Sequence, residues 1–437
     1  MCSIGVSNTS KSLETSNQFS KYRGPDKTNI VDINGIQFLH NLLHLTGELT
    51  IQPFEKDDVV AVFNGEIYNY KDFGDYKTDG YVLIDLYKEH GIEFTKLLDG
   101  EFAICLIDFN KGLILISTDP FACKPLWYDF LNGEFCIASY NSQLSQLGFN
   151  NGTKLYANTT LVFDLTSYEL KNKFTNFDFD INQYKETFDD WITAFENSIR
   201  KRVNSEYKIY LGLSSGYDSG AITCELLKQN VDFKTYTIAG PEDKNIIESR
   251  VERIPNHEVI YMTQKEYNYE QEYLNETCED FNYGDHNGGY DIKGDKASVG
   301  LSYICSKASQ NGYRIYLSGQ GADEIISDYG FQGYKIWKSS QFGGLFPSNL
   351  AGFWPWVSFY GGTQIKYLNK EEYVAGHYGI ETRYPFLDKY LVQEFLWLDS
   401  TLKNSKYKSS LDEYLRRNDF PFARGQKIGF GTNIGLR

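Results

Sequence analysis

From Asp189 onward the sequence alternates helical and strand-like segments, and this alternation constrains the fold more than any other feature. WITAFENSIRKRV, AITCELLKQ and SYICSKASQ have the apolar spacing of helices, whereas KIYLGL, FKTYTIA and YRIYLSG have the composition of strands. Strands that alternate with helices form a parallel sheet covered on both faces. We therefore predict an α/β domain with a parallel sheet over residues 189–437.

The first part of the chain, residues 2–165, has a different pattern. Short apolar stretches such as Val59–Phe63, Phe102–Ile107, Leu113–Ser117 and Leu161–Phe163 are separated by Asn and Gly. Between them, YVLIDLYKEH carries a helical apolar face. This mixture predicts an α+β domain of antiparallel sheets with a few helices. Residues 166–188 are polar and aromatic without a clear period, and we interpret them as the connection between two domains.

Composition excludes several classes of protein. The 437 residues leave room for two or three domains, and 58 acidic against 43 basic residues give a net charge of −15, which argues against nucleic acid as a partner. No apolar run approaches the roughly 18 residues of a membrane span, and the first residues do not resemble a secretory signal. The seven cysteines form no CxxC pair, so we expect reduced thiols and a cytoplasmic protein.

Cys2 is a candidate nucleophile. Removal of the initiator methionine would leave Cys2 with a free α-amine, whose reference pKa of about 7.7–8 suits it to accept the thiol proton at neutral pH. Asn64 and Gly65 directly follow the apolar strand VVAVF, where a side-chain amide and a backbone N–H in one tight turn could stabilise an oxyanion. Taken alone, Asn-Gly is equally typical of a plain hairpin turn.

Two polar loops follow predicted strands in the second domain. Leu213-Ser214-Ser215-Gly216-Tyr217-Asp218-Ser219-Gly220 joins a strand to a helix, a position where backbone N–H groups bind phosphate, although Ser and Gly are also ordinary helix caps. Leu317–Glu324 follows another strand and contains Asp323. Asp218 and Asp323 would both lie at the carboxyl ends of parallel strands, so we predict a Mg²⁺ pair, with a helix cap as the alternative for Asp323.

Several motifs of the first domain, in this order, resemble the glutaminase domain of the class II, N-terminal-nucleophile glutamine amidotransferases. They are Cys2, RGPD, NGEIYNY, Thr78-Asp79, LDGEFAICLID and DPFACKPLWY. The resemblance implies an αββα sandwich in which Cys2 attacks the side-chain amide of glutamine, Asn64 and Gly65 form the oxyanion hole, and Glu66 and Asp79 bind the α-amino group. Leu42 stands where the family usually has an arginine for the glutamine carboxylate, so we expect another cation, such as Arg23, in that role.

The second domain resembles the ATP pyrophosphatases, whose SGGxDS loop binds pyrophosphate. The resemblance assigns ATP or pyrophosphate binding to Leu213, Ser214, Ser215, Gly216, Asp218, Ser219, Ser318, Gly319, Lys408 and Lys427. HYGIETRYPFLD matches the family motif GxExRxPFLD. Gln320 replaces a glutamate of the related SGEGxDE loop and cannot accept a proton, so Glu381 is our candidate for a base.

The whole chain is similar to the glutamine-hydrolysing asparagine synthetases. This implies hydrolysis of glutamine at Cys2, passage of ammonia through a dry channel, and adenylation of a carboxylate by MgATP, with AMP and pyrophosphate released. Aspartate is the default acid, and another small acid or a uronic acid is the alternative. The expected partners are glutamine, ATP and the acid, without nucleic acid or membrane, and a homodimer is one option for assembly. Three other classes remain open: a glutaminase that only binds nucleotide, an enzyme that closes an intramolecular amide, and a regulatory protein.

Overall fold

The computed structural model describes residues 2–240, 242–281 and 296–425. The chain divides into two compact units. The first runs to Asp178 and also includes Thr277–Glu279 and Gly376–Ile380, and the second comprises the other described residues from Phe179 onward. Lys427 lies outside the described residues.

The first unit contains two six-stranded antiparallel sheets. Their orders are β10-β8-β9-β1-β3-β2 and β12-β11-β7-β6-β5-β4. The strands are β1 (Ser3–Ser7), β2 (Lys27–Ile33), β3 (Ile36–Leu42), β4 (Phe54–Lys56), β5 (Val59–Ile67), β6 (Gly100–Asp108), β7 (Leu113–Thr118), β8 (Trp127–Leu131), β9 (Glu134–Ala138), β10 (Thr153–Lys154), β11 (Thr160–Asp164) and β12 (Leu170–Phe174). The helices are α1 (Val82–His90) and α2 (Asn141–Leu147), with short 3₁₀ turns at Leu13–Ser16, Ser20–Arg23, Tyr70–Phe73, Asp79–Tyr81 and Gly91–Leu97.

The two faces of β5 explain the layering of this unit. Successive side chains of a strand point to opposite faces. Val60 and Val62 belong to the core between the two sheets, whereas Ala61 and Phe63 belong to a second core that includes Leu83 of α1. A third core packs α2 on the outer face of the other sheet. The result is the αββα arrangement expected from the sequence.

The predicted connection contains a strand of the first unit. Within residues 166–188, β12 pairs with β11 and extends the sheet. Four of its five residues are exposed, so it is an edge strand without an apolar pattern. The first compact unit therefore continues beyond the expected boundary at residue 165.

The second unit contains a five-stranded parallel sheet of order β15-β14-β13-β16-β19 and a two-stranded hairpin, β17-β18. The strands are β13 (Lys208–Gly212), β14 (Phe233–Ile238), β15 (His257–Ile260), β16 (Tyr313–Leu317), β17 (Gly330–Phe331), β18 (Tyr334–Lys335) and β19 (Glu381–Arg383). The helices are α3 (Asp189–Val203), α4 (Tyr217–Lys228), α5 (Lys244–Val251), α6 (Gln264–Thr277), α7 (Lys296–Gln310), α8 (Val357–Tyr360), α9 (Gly362–His377), α10 (Lys389–Trp397), α11 (Ser400–Lys403) and α12 (Ser409–Arg417). Short turns occupy Asp323–Ser327, Leu350–Gly352 and Pro385–Leu387.

The order of this sheet positions the polar loops. β13 and β16 are hydrogen-bonded neighbours and run in the same direction, so the loops after them start at the same edge of the sheet. A Cβ at Gly319 would lie 3.0 Å from the Cβ of Asp218, which confirms that the two loops are in close contact. The parallel sheet predicted from the alternation is thus confirmed. None of the described helices is both long and apolar enough to cross a bilayer.

Candidate functional site

Cys2 opens onto a small cavity in the first unit, which we call the thiol cavity. Its volume is about 40 Å³. The Cys2 side chain is 9% exposed, and its thiol donates to the carbonyl oxygen of Leu43 at 3.8 Å. The lining residues are Cys2, Leu42, Leu43, His44, Leu45, Thr46, Glu48, Thr50, Gln52, Phe54, Phe63, Gly65, Glu66, Thr78 and Asp79. Four of the predicted site residues, Cys2, Gly65, Glu66 and Asp79, therefore lie together.

Gly65 occupies a position that no other residue fits. Its φ is +133°, and a Cβ here would lie 1.9 Å from the carbonyl oxygen of Glu101 on the neighbouring strand. This close approach requires glycine. Next to it, Asn64 is fully buried, and neither its Oδ1 nor its Nδ2 has a hydrogen-bond partner among the described residues. An unpaired buried amide is rare. Asn64 directly precedes Gly65 in the chain, but it is not among the described lining residues of the thiol cavity.

Glu66 and Asp79 give the thiol cavity an acidic end. Thr46 Oγ1 donates to Glu66 Oε2 at 2.5 Å, and the backbone N–H of Ile67 donates to Asp79 Oδ2 at 2.9 Å. Both carboxyl groups are less than 10% exposed. These contacts fix the carboxylates in place, where they are suited to bind an ammonium group.

Arg23 does not line the thiol cavity. Its fully buried guanidinium donates from Nε to the carbonyl oxygen of Cys2 at 2.9 Å and from Nη1 to Tyr140 Oη at 3.1 Å. The expectation that Arg23 contacts the ligand carboxylate therefore finds no support in this geometry. Arg23 instead fixes the backbone of Cys2. Leu42 does line the cavity, and the basic side chain among its described lining residues is His44, which sequence reasoning missed.

A larger cavity of about 350 Å³ lies at the carboxyl ends of β13 and β16, and we call it the loop cavity. Its lining residues are Gly212, Ser214, Asp218, Ser219, Ala297, Leu301, Ile304, Tyr316, Ser318, Gly319, Gln320, Asp323, Tyr329, Ile336, Trp337, Tyr367, Lys370 and Glu371. Ligands of open α/β sheets bind at this edge. Six of the predicted residues are therefore brought together here: Ser214, Asp218, Ser219, Ser318, Gly319 and Asp323.

Lys408 joins the two predicted metal ligands. Its Nζ lies 2.6 and 2.8 Å from the carboxylate oxygens of Asp218 and 2.8 Å from Asp323 Oδ1. Tyr407 Oη also donates to Asp323, at 3.3 Å. Burial opposes the charge of Lys408, but the two carboxylates outweigh it and raise the pKa of Lys408 well above its ordinary value. A charged ammonium therefore lies between the two aspartates.

The pair of aspartates also fits a magnesium ion. Carboxylate oxygens are its preferred ligands, and both groups already reach one common cation. Among the described residues there is no cluster of three or more His, Cys, Asp or Glu that would form a metal cage. Mg²⁺ held by Asp218 and Asp323 would have to displace the Lys408 ammonium from between them, and it would take its other ligands from water and from the phosphates of a ligand.

The loop after β13 is ordered by internal hydrogen bonds. Ser214 and Ser219 share a hydroxyl–hydroxyl bond of 2.8 Å, and Arg250 donates to the carbonyl oxygens of Ser214 and Gly216. Ser215 is fully buried, and both its N–H and its hydroxyl donate to Glu242 at 2.6 Å. Ser215, Gly216 and Leu213 are not among the lining residues of the loop cavity, so they act through the conformation of the loop.

Glu381 is not in the loop cavity. It begins β19, is 2% exposed, and accepts a hydrogen bond from Arg383 Nε at 2.7 Å. The predicted base is therefore held in a buried ion pair. Asp388 of the same motif caps α10 through the N–H groups of Tyr390 and Leu391, so this motif serves the fold. Gln320 does line the cavity, and its amide donates to Glu324 Oε1 at 2.8 Å.

Two different protein families match the two parts of the chain that provide most of the lining of the two cavities. Residues 1–177 match the family model of a glutamine amidotransferase domain, and residues 191–354 match that of asparagine synthase. Asparagine synthetase [glutamine-hydrolyzing] 2 of Bacillus subtilis is 25% identical over 538 residues, covering 94% of this chain and 68% of the relative. Asparagine synthetase [glutamine-hydrolyzing] 1 of Saccharomyces cerevisiae is 24% identical over 459 residues, covering 94% and 77%. The relative from Gallus gallus is 25% identical over 466 residues, covering 91% and 76%.

Proposed function

The chain belongs to the glutamine-hydrolysing asparagine synthetase family, and from this premise we propose that it hydrolyses glutamine at Cys2 and uses the ammonia to amidate a carboxylate activated by ATP. It is a carbon–nitrogen ligase with glutamine as nitrogen donor. The observation that carries the proposal is the presence, in one chain, of a thiol cavity with an acidic end and a loop cavity whose two lining aspartates both contact Lys408.

In the first half-reaction, Cys2 attacks the side-chain carbonyl carbon of glutamine. Once Met1 is removed, the α-amine of Cys2 takes the thiol proton and returns it to the leaving nitrogen, so that ammonia departs and a thioester remains. Water then releases glutamate and restores the thiol. The N–H of Gly65 and the Nδ2 of Asn64 are the donors that stabilise the oxyanion, and Asn64 Nδ2 has no other partner among the described residues.

Recognition of glutamine uses the acidic end of the thiol cavity. Glu66 and Asp79 bind the α-ammonium group. Leu42 leaves the α-carboxylate without an arginine, and His44 is the basic side chain in the lining that can donate to it. Arg23 contributes by fixing the Cys2 carbonyl rather than by binding the ligand.

In the second half-reaction, a carboxylate oxygen of the acid attacks the α-phosphorus of ATP, and pyrophosphate leaves. Lys408 neutralises charge that develops on the phosphates, and Ser214, Ser219, Ser318 and Gly319 contact them from the two loops. Mg²⁺ bound by Asp218 and Asp323 would add charge stabilisation for the departing pyrophosphate. Ammonia then displaces AMP from the mixed anhydride.

The nitrogen has to move as neutral ammonia. Free ammonia in water at neutral pH is mostly ammonium, which has no lone pair to attack a carbonyl carbon. We therefore include in the proposal a passage that excludes water between the two reactions.

Aspartate is the default acid of the proposal. A larger acid is the second candidate, because Tyr316, Tyr329, Trp337 and Tyr367 give the loop cavity an aromatic lining, which suits a ring such as that of a uronic acid. A panel of L-aspartate, L-glutamate, succinate and glucuronate, assayed by pyrophosphate release, distinguishes them. No turnover with L-aspartate would remove the default.

Isotope labelling tests the complete reaction. Glutamine labelled with ¹⁵N in its side chain should label the amide product, and AMP with pyrophosphate should form in equal amounts. Mass spectrometry should find Cys2 at the amino terminus. Formation of ADP and phosphate would overturn the second half-reaction, and glutamate release without any labelled amide in the presence of ATP and the acids would instead favour a glutaminase that only binds nucleotide.

A further inference from the structure

Glu371 contributes a carboxyl group to the loop cavity that the proposed half-reactions do not use. It lies on α9 together with Tyr367 and Lys370, and all three line the cavity. Positions three and four apart share one face of a helix, so the residues 367, 370 and 371 form one stripe. The sequence NKEEY matches no motif, which is why sequence reasoning passed over it.

The state of Glu371 differs from that of the other acids around this cavity. Asp218 and Asp323 contact Lys408, and Glu324 accepts hydrogen bonds from Gln320 and Tyr329. Glu371 is only 7% exposed, yet its Oε2 has no hydrogen-bond partner among the described residues. A buried carboxyl oxygen without a partner is costly in the resting protein and is suited to accept a proton from a ligand.

The surroundings also adjust the affinity of this carboxyl for a proton. Burial raises the pKa of Glu371 to about 7, against the opposing effects of the Lys370 ammonium and the Ser318 hydroxyl. A pKa near the working pH is the range in which a general base is most effective. The other titratable groups that interact with Glu371 are Glu372 of α9, Glu324, Tyr316 of β16 and Cys305 of α7.

We propose that Glu371 is the catalytic base that accepts a proton from the attacking nitrogen during amide formation. The ammonia lone pair forms the C–N bond, the bond between the acyl carbon and the AMP oxygen breaks with its electrons on the phosphate, and one N–H proton moves to the Glu371 carboxylate. The products are the neutral amide, AMP and a protonated Glu371, which returns its proton to water. This inference rests on the proposed function, because it requires an acyl-adenylate.

The two residues considered from the sequence do not fill this role. Gln320 has no basic atom and donates its amide to Glu324. Glu381 is paired with Arg383 and does not line the cavity. Among the carboxyl groups in the described lining of the loop cavity, Glu371 is thus the one with a buried oxygen that has no hydrogen-bond partner.

The test separates adenylation from amide formation in the full-length protein. Adenylation is measured as ATP–pyrophosphate exchange with the acid of the panel that the wild type activates, and amide formation is measured with ammonium chloride as nitrogen source. Glu371→Gln should lower kcat for the amide by about 100-fold, the lower range for loss of a general base, while the exchange rate stays within about threefold of wild type. Glu372→Gln, the same change one position along α9, is the matched control. It should leave the rates of exchange and of amide formation within about threefold of wild type, a much smaller change than the loss of a general base causes.

The pH profile distinguishes a base from a positioning residue. With rates expressed per concentration of unprotonated ammonia, the wild-type rate should fall as the pH drops through about 7, because a protonated Glu371 accepts no proton. Glu371→Gln should lose this dependence. Glu371→Asp keeps a carboxyl group, so it should retain the pH dependence with a lower rate, and it serves as the test if the glutamine variant does not fold.

The outcomes separate this inference from the function on which it rests. A wild type that exchanges pyrophosphate with none of the acids would overturn the proposed function and this inference together. A wild type that forms the amide, with Glu371→Gln at nearly the same rate and the same pH profile, would overturn the role of Glu371 alone. Equal losses of exchange and amide formation in folded Glu371→Gln would also overturn it, since that pattern indicates a role in binding.

Discussion

The thiol cavity and the loop cavity are built in different ways. The predicted residues around the thiol cavity come from the first 79 positions, and Gly65 among them depends on the close approach of the β5 backbone to Glu101. At the loop cavity, Lys408 and Asp218 are 190 positions apart and form a cluster of charges with Asp323. The first site should therefore be sensitive to backbone geometry and the second to charge balance.

Removing the Cys2 thiol should have the largest effect. The loss should concern the glutamine-dependent reaction and spare the chemistry at the loop cavity. Cys2→Ala should lower glutamine-dependent amide formation by at least about 10⁴-fold, because no other group can form the thioester. Ammonia-dependent amide formation should stay near the wild-type rate. Cys136→Ala, which removes another buried thiol of the same unit, is the control for nonspecific damage. A mutant that still releases glutamate would contradict the assignment.

Removing the Lys408 ammonium, which contacts the two aspartates of the loop-cavity lining, should have the next largest effect. Lys408→Met leaves two carboxylates facing each other, and we expect ATP–pyrophosphate exchange to fall by about 10³-fold, the upper range for losing one group that stabilises charge in a transition state. Glutamine hydrolysis measured without ATP should be unchanged. The control is Lys406→Met, which removes a half-exposed lysine that pairs with Asp412. This variant should exchange pyrophosphate at nearly the wild-type rate. Similar losses in both variants would show that charge at Lys408 has no special role.

Adding a methyl group at Gly65 tests whether glutaminase activity depends on the backbone geometry of β5. Gly65→Ala should lower glutaminase kcat by about 100-fold, the effect of losing one oxyanion donor, because the new Cβ displaces the strand from Glu101. Gly112→Ala is matched to it: Gly112 also has a positive φ, of +62°, but its Cβ would meet no atom within 4 Å. Circular dichroism and kinetics of both variants separate backbone strain from loss of the donor. Equal activity in both would argue against Gly65 as part of the oxyanion hole.

The smallest expected effect concerns the carboxylate of glutamine. His44→Ala should raise KM for glutamine by about tenfold, equivalent to about 1.4 kcal/mol, the value of one hydrogen bond to a charged group. The turnover number should change little, because His44 is not near the leaving nitrogen in the proposal. His90→Ala, at a more exposed histidine, is the control. An unchanged KM would show that another group replaces the absent arginine.

The sequence predicted the fold where burial produces a pattern. β5 and β6 alternate between two cores, and α3 carries an apolar face, so each was recognisable from its residues alone. β12 was missed because an exposed edge strand needs no apolar positions, and β19 was missed because three residues are too few to show a period. Edge strands and very short strands are defined by their neighbours rather than by their own composition.

At the candidate sites too, local sequence revealed some residues, whereas others are defined by their neighbours in the fold. Cys2, Gly65, Asp218 and Asp323 belong to motifs with a chemical reason for their spacing, and the structure brings the members of each group together. Glu371 was missed because it joins its cavity only through the packing of α9, which local sequence does not record. Tertiary contacts decide which buried acids find partners.

The lysine between the two aspartates has a practical consequence for the resting enzyme. Because Lys408 contacts both acids and offsets one of their two negative charges, we expect the fold to be stable without a bound metal. Dialysis against a chelator should leave the melting temperature unchanged, and the demand for magnesium should begin only when nucleotide arrives. Protein isolated in a chelating buffer should therefore regain full activity as soon as MgATP is added.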